Sequence, residues 1–383
     1  MTIFYIIAFF SLVIGMGAIF TLVEKFPVKL LYYHYHVRKP LIWSIFIASV
    51  WYQITSSSNG IPANAMPPLA IMGLSVILTY KVHQSNWFKA VNFPKMTDHF
   101  ESLPLSDDQE IALIEYEGII KAYPLNYVIH HHIVNDKFKD KLVALTYCAM
   151  CRSIIPFDVT EIGPLFVASF KNANMIVADK KTGTFFQQAS FNSIIGKLHP
   201  KSLDMITFQI LPWGVVKELK RKPQVAIINK NDLRPFKLPM PGVWKKVMNS
   251  ELTPGLSTKD KTFPSKTHIV GVTDTSISEP VFYLKSELLQ KGIVKNAKLN
   301  FTLIATDNTI NGFKTKNLNL ILKKNQIIED IITKSIWDIT GKSLKGSIEK
   351  NLEKICISDE YWFSWKKFHP NSILLRLNST STI

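Results

Sequence analysis

Two long uncharged stretches constrain this chain more than anything else in it. No Asp, Glu, Lys or Arg occurs between Phe4 and Val23, and none occurs between Leu41 and Tyr80. A helix rises about 1.5 Å per residue, so some 20 apolar residues span the roughly 30 Å hydrocarbon layer of a bilayer. The first stretch predicts a retained membrane helix over about 4–23. No Lys or Arg precedes it, and Phe20–Glu24 is a poor cleavage site, so a signal peptide fits less well. The second stretch is interrupted by Thr55-Ser-Ser-Ser-Asn-Gly-Ile-Pro62, which is turn chemistry. It predicts helices over about 41–56 and 62–80, so residues 1–95 read as a membrane region of two or three spans. One bent span over 41–80 is the alternative.

Short loops rich in Lys and Arg stay on the cytoplasmic side. The first loop carries Lys25, Lys29, Arg38 and Lys39 against Glu24, with an aromatic run, Tyr32-Tyr33-His34-Tyr35-His36, suited to a headgroup interface. Two crossings over 41–80 put everything beyond Lys81 in the cytoplasm; one crossing puts it outside. The expectation is a multi-pass protein of a prokaryotic cell membrane, with the lipid bilayer as its first partner.

Beyond the membrane region the chain is basic but not patchy. It has 45 Lys and Arg against 29 Asp and Glu, a net charge of +16, spread over Lys-containing turns. No compact basic helix or RNA-binding pattern appears, so no nucleic-acid partner is expected. Hydrophobic residues at 47% are enough for a packed core, and three Cys are too few for a disulfide scaffold. Short runs rich in Ile, Val, Phe and Thr predict strands, among them Ile111–Tyr116, Leu142–Tyr147, His268–Val272 and Asn300–Ala305. Few helical stretches separate them, so the fold class is α+β, mainly β.

The β-rich part reads as duplicated. Thr182-Gly-Thr-Phe-Phe-Gln-Gln precedes Ile194-Ile-Gly-Lys-Leu198, and Thr333-Lys-Ser-Ile-Trp-Asp-Ile-Thr-Gly precedes Leu344-Lys-Gly346. This order predicts two related halves, 105–230 and 262–383, joined by a Pro-, Gly- and Lys-rich linker over 231–261. A cleft between two halves is a natural site.

Chemistry concentrates in Thr146-Tyr-Cys-Ala-Met-Cys-Arg152. Cys148 and Cys151 are spaced so that their sulfurs can meet each other or one metal ion. With an imidazole from His131 or His132 they form a mixed nitrogen and sulfur set suited to zinc, or to copper given the Met150 thioether. Arg152 would favour a neighbouring thiolate. A thioredoxin-type dithiol needs a helix after the pair, but Ser153-Ile-Ile-Pro-Phe-Asp158 reads as strand or turn. A disulfide or redox-sensing pair, and two ordinary packed thiols, remain open. Asn135, Asp179 and Gln188 are further site candidates, though a capped turn explains Asp179-Lys-Lys-Thr-Gly-Thr184 equally well. No phosphate loop, dinucleotide fingerprint or serine-hydrolase motif is present. The second half lacks the Cys pair and the His run, so the fold itself does not require them.

The order of these motifs resembles domain of unknown function 3179. Ala122-Tyr-Pro-Leu125, His131-His-Ile-Val-Asn-Asp136 and Thr146-Tyr-Cys-Ala-Met-Cys151 carry the resemblance. Asp179, Thr182, Thr184, Phe186, Gln188 and Gly196 follow in register, and Trp362-Phe-Ser-Trp365 and His369-Pro370 close it. The resemblance covers about 105–375 and departs from the family where His132 replaces Glu, Ala149 replaces Pro, Arg152 replaces Gly and Phe186 replaces Trp. It implies the same site residues and no known activity. Many relatives look exported or lipid-anchored, which implies an exterior domain. The expected function is a membrane-anchored metal-binding or thiol-redox protein, with possible zinc or copper as cofactor. The alternatives are a non-enzymatic module that binds a protein or small molecule at the membrane surface, and an enzyme using Asp179, Gln188 and His131.

Overall fold

The computed structural model describes residues 2–58, 60–100, 103–228, 250–257, 260–273 and 279–377. Most of the expected linker, 231–249 and 258–259, lies outside the described residues.

Three helices open the chain: α1 (Thr2–Gly15), α2 (Val28–Ser56) and α3 (Met66–Lys81). They pack as a bundle in which α3 touches both others. At Gly15 a Cβ would lie 2.8 Å from the Ser75 carbonyl oxygen, so only glycine lets α1 and α3 approach this closely. The helix expected over 4–23 stops at Gly15 and gives way to a 3-10 turn, Gly17–Leu22. The expected basic loop is instead the first part of α2. Tyr32 and Tyr35 meet Phe185 of the β-rich part edge to face, and His34 Nε2 meets the Ile14 carbonyl at 2.8 Å, so docking favours helix over loop. Among the described residues one helical stretch, Ala63–Lys81, is long and apolar enough to cross a membrane; Thr2–Gly15 is apolar but shorter. Large apolar side chains face outward on all three helices, including Phe9 at 61%, Trp51 at 67% and Ile77 at 57% exposure.

A short helix, α4 (Gln84–Trp87), and strands β1 (Val91–Asn92) and β2 (Met96–Thr97) lead into the β-rich part. The first half continues with β3 (Glu110–Tyr116), β4 (Ile119–Pro124), α5 (Leu125–His131), β5 (Ile133–Phe138), β6 (Lys141–Cys148) and β7 (Ser153–Asp158). It goes on with β8 (Leu165–Lys171), β9 (Asn174–Asp179), β10 (Phe185–Gln187), β11 (Ser193–Ile195) and β12 (Asp204–Met205). It ends with β13 (Phe208–Pro212), α6 (Trp213–Val216) and β14 (Gln224–Ala226). The second half has β15 (His268–Val272), β16 (Val281–Leu284), α7 (Lys285–Lys291), β17 (Ile293–Asn296), β18 (Phe301–Thr306) and β19 (Thr309–Lys314). Then come β20 (Leu320–Lys323), β21 (Ile327–Asp330), β22 (Ile336–Trp337), β23 (Ser343–Lys345), β24 (Ile357–Tyr361), α8 (Trp362–Phe368) and β25 (Ile373–Leu374). The chain is therefore α+β and mainly β.

The two halves have matching sheets. β13-β3-β4-β14 corresponds to β24-β15-β16-β25, each with one parallel pair at its last junction. The hairpins β5-β6-β7 and β17-β18-β19 match, as do the ladders β8-β9-β10-β11 and β20-β21-β22-β23. Even the register shifts coincide, at Phe185/Phe186 and Ile336/Trp337. Ile111, Leu113 and Trp213 share one core cluster with Phe313, Ile328 and Trp337. The halves thus close on each other, and the opening between them beside Glu115, Arg221 and Lys354 encloses only about 20 Å³. At this point the border between the halves is packed core rather than an open cleft.

Candidate functional site

The cysteines sit at the tip of the β6–β7 hairpin. Cys148 pairs across the ladder with Ser153, leaving four residues in the turn. In the matching hairpin Thr306 pairs with Thr309, leaving two. The first half therefore has two extra turn residues (4 − 2), and the longer turn is what carries Cys151. Arg152 closes it at φ +59°, the left-handed region that favours glycine.

Both sulfurs are fully buried. Cys151 Sγ lies 3.1 Å from Asn174 Nδ2, which donates to it, and 3.1 Å from Ser153 Oγ. Gln188 holds these partners: its Oε1 accepts from Ser153 Oγ at 2.8 Å and from Asn174 Nδ2 at 2.9 Å. Its Nε2 donates to Thr146 Oγ1 at 3.2 Å. Asn174 Oδ1 in turn accepts from Gln187 Nε2 at 2.7 Å and from the Ala189 N–H at 3.1 Å. Each amide is oriented from both ends, so the donor facing the sulfur is fixed.

Burial alone pushes the Cys151 thiol up. Hydrogen bonds with Cys148, Ser153 and Asn174 outweigh it and bring the thiol down to about 6. The Cys148 thiol moves the other way, raised well above its ordinary value by burial and by its hydrogen bond to Cys151. The two shifts run in opposite directions, so Cys151 is the more acidic thiol of the pair.

The second half supplies a further group. Tyr361 N–H donates to the Cys151 carbonyl at 3.0 Å, which brings β24 against the turn. Glu360, fully buried, is pushed up to about 8 by burial and then by the Cys151 charge. Ser358 Oγ donates to its Oε1 at 2.8 Å. A carboxyl pushed towards its neutral form therefore lies within the field of Cys151.

The other candidates bond or stack on other partners. His131 donates through Nδ1 to the Lys89 carbonyl at 2.9 Å and packs on Tyr127, which belongs to a different core cluster from the cysteines. His132 stacks on Phe88, ring centres 4.1 Å apart, at φ +63°; burial pushes its imidazole down to about 3, so it is neutral. Among the described residues no group of three or more His, Cys, Asp or Glu side chains is arranged to hold a metal ion. Two sulfurs are the soft donors that stay together.

Arg152 turns away to the second half. Its Nη1 donates to His268 Nδ1 at 2.6 Å, and the Asp359 charge lies near it. Asn135 is a clamp: it donates to Asn92 Oδ1 and to the Leu165 carbonyl, and accepts from the Leu165 N–H, each at 2.9 Å. Its neighbour Asp136 takes Lys121 Nζ at 2.8 Å and the Tyr123 hydroxyl at 2.7 Å in a buried cluster. Asp179 caps the turn to Thr182 and Thr184, and Asp330 does the same for Thr333 in the second half. Cys356 is half-buried, its Sγ 3.8 Å from the Met205 carbonyl. The geometry thus gathers Cys148, Cys151 and Gln188, and adds Ser153, Asn174 and Glu360. The last three had no signal of their own, because their relation to Cys151 arises only from strand pairing.

Residues 88–372 match the family described as "Protein of unknown function (DUF3179)". No curated protein and no solved structure matches the chain.

Proposed function

The chain belongs to the DUF3179 family, and we propose that its first half carries a reversible dithiol–disulfide site at Cys148 and Cys151. The observation that carries this reading is the amide of Asn174, whose Nδ2 donates to Cys151 Sγ at 3.1 Å in a buried setting, with the Ser153 hydroxyl also 3.1 Å from the sulfur. Hydrogen bonds to an ionised acceptor are the strong ones, and they select the thiolate, which is the nucleophilic form. Full burial of both sulfurs excludes a bulky partner and favours a small oxidant of the peroxide class. Cys151 thiolate attacks the O–O bond, gains one oxygen as sulfenic acid, and hydroxide leaves with the Cys148 proton as water. Cys148 then attacks the sulfenic sulfur. A second hydroxide leaves and takes the proton held on Glu360. Two thiols lose two electrons, peroxide gains them, and two waters form.

The test is a peroxide titration of the full chain read by mass spectrometry, beside Cys148→Ser and Cys151→Ser. The expected product is a loss of two hydrogens in the wild type and a trapped sulfenic acid in Cys148→Ser. Thiols that resist peroxide in every form would overturn the reading and leave a non-enzymatic binding module. Metal analysis of the same samples tests the second reading, zinc or copper held by the two thiolates, which the Met150 thioether on the same turn favours. Stoichiometric metal lost in Cys148→Ser/Cys151→Ser would replace the redox reading.

We further infer that α1–α3 sit in a bilayer as a multi-pass anchor. Their outward apolar side chains support this, as does the charge pattern. Lys25, Lys29, Arg38, Lys39, Lys81 and Lys89 lie at the end beside the β-rich part, while 56–65 at the other end carries no Lys or Arg. That asymmetry favours a cytoplasmic β-rich part, whose reducing surroundings suit free thiols. Carbonate extraction and a cysteine-accessibility scan test this; release by carbonate refutes it. The matching sheet order and paired Asp turns support descent of the halves from one duplicated unit.

A further inference from the structure

The second half has a cavity of its own, built without the cysteine turn. It holds about 530 Å³, within the roughly 300–1,000 Å³ that takes a small organic ligand. The β17–β18 turn, the link after β19 and the stretch before β24 make its walls, and each brings lysine. Lys298, Lys314, Lys316 and Lys350 line it against one carboxylate, Glu353, so the lining carries 4 − 1 = +3. Glu353 Oε1 takes Lys314 Nζ at 2.6 Å. The other three lysines form no ion pair among the described residues and are exposed. Phe301, Leu352 and Ile355, all buried, give the same cavity an apolar lining. Hydrogen bonds fix the walls. Lys314 N–H donates to the Glu353 carbonyl at 2.8 Å, and the Trp337 indole donates to the Lys350 carbonyl at 2.9 Å.

The matching hairpin shows that the fold does not need these charges. Five pairs from the hairpin tip, Val143 opposite Asp158 takes the place of Phe301 opposite Lys314. One step on, Val159 N–H donates to the Leu142 carbonyl and Thr315 N–H to the Asn300 carbonyl, both at 2.8 Å. Lys314 and Lys316 thus stand where the first half has Asp158 and Thr160. Asp158 accepts from the Tyr116 hydroxyl at 2.7 Å instead.

We propose that this cavity binds a small organic pyrophosphate, with its phosphates at Lys298, Lys316 and Lys350 and its body on the apolar lining. Like charges gathered around one space repel, and a multiply charged anion relieves that repulsion. Lysine meets phosphate as a point charge. An apolar ligand would leave the ammonium groups uncompensated, and a bare inorganic anion would leave the apolar lining unused. The same phosphate group occurs on soluble nucleotides and on lipid headgroups.

The experiment titrates the full chain in detergent with ADP by calorimetry, in magnesium-free buffer. The expected result is one site per chain, weakened about tenfold in Lys298→Gln and in Lys350→Gln, as befits one lost charge-assisted hydrogen bond each. Glu353→Gln removes the carboxylate from the lining and should tighten binding, which misfolding does not do. Lys180→Gln/Lys181→Gln removes two exposed charges from a turn of the first half and should leave the affinity unchanged. Absence of saturable binding, or equal weakening by that control, overturns the proposal. Inorganic pyrophosphate binding as tightly as ADP overturns the organic ligand. Dioctanoylglycerol pyrophosphate is the competitor. Displacement of ADP at lower concentration assigns a lipid headgroup, and ADP holding against it assigns a soluble ligand; the lysine dependence supports the site in both cases.

Discussion

Ser153→Ala tests the origin of the Cys151 thiolate with the least collateral change. Ser153 is fully buried, and alanine keeps its volume nearly constant on β7. Gln188 Oε1 still accepts from Asn174 at 2.9 Å, so no buried acceptor is orphaned. What is lost is the hydroxyl 3.1 Å from Cys151 Sγ, which gives its one proton to Gln188 Oε1 while Cys151 is a thiol and can turn it to the sulfur when Cys151 ionises. A hydrogen bond to a charged group contributes about 1.5–3 kcal/mol, and one pKa unit is about 1.4 kcal/mol. The Cys151 thiol, held at about 6, should therefore rise by about one to two units. At pH 6.5 its ionised fraction falls from roughly three quarters to roughly one quarter or less. The assay is thiolate absorbance against pH in a Cys356→Ser background, which leaves only the pair. A midpoint unchanged in Ser153→Ala would refute the assignment of the shift to this hydroxyl. A rise in a control variant far from the turn would refute its specificity.

Other outcomes follow from the same geometry. Glu360 is raised from 4.5 to about 8, so its contribution to stability is complete below about pH 4.5 and is lost as pH rises towards 8. Glu360→Gln should flatten that fall, read as urea midpoints at pH 5, 6.5 and 8; an unchanged slope would count against the buried acid. Asp136→Ala leaves the buried Lys121 Nζ without its counter-charge, keeping only the Lys137 carbonyl at 2.8 Å, and should cost about 3–5 kcal/mol in chemical denaturation, while Lys201→Ala, in an exposed pair, should cost little. Gly196, at φ +125°, lies where a Cβ would come within 2.7 Å of the Thr184 Cα, so Gly196→Ala should lower the melting temperature. Equal melting temperatures would contradict that close approach.

The candidate site was half legible in the chain. Cys148 and Cys151 stood out in the chain by their spacing, and Gln188 stood in a motif that the structure ties to Ser153, Asn174 and Thr146 around Cys151. His131 and His132 were expected beside the thiols because they are near in sequence order. One points to the Lys89 carbonyl and the other lies on Phe88, since side chains that follow one another on a turn diverge. Arg152 was expected to act on the thiol, but its left-handed backbone aims it across the interface to His268. The aromatic and basic run 28–40 read as a loop because its charges mask the helix, which docking on Phe185 stabilises.

Local chemistry is what the sequence determined by itself: strand runs from β-branched and aromatic residues, turns from Asp, Gly and Thr, and the repeated order of those turns. Each depends on neighbours within a few positions, so each is written in the chain. Tertiary structure alone decided that Asn174 Nδ2 and Ser153 Oγ face one sulfur, and that Glu360, some 200 residues away, shares its field. Those relations come from ladder registers and from the core shared by the halves. No spacing rule encodes them, because they exist only when two sheets close on each other and exclude water from the space between.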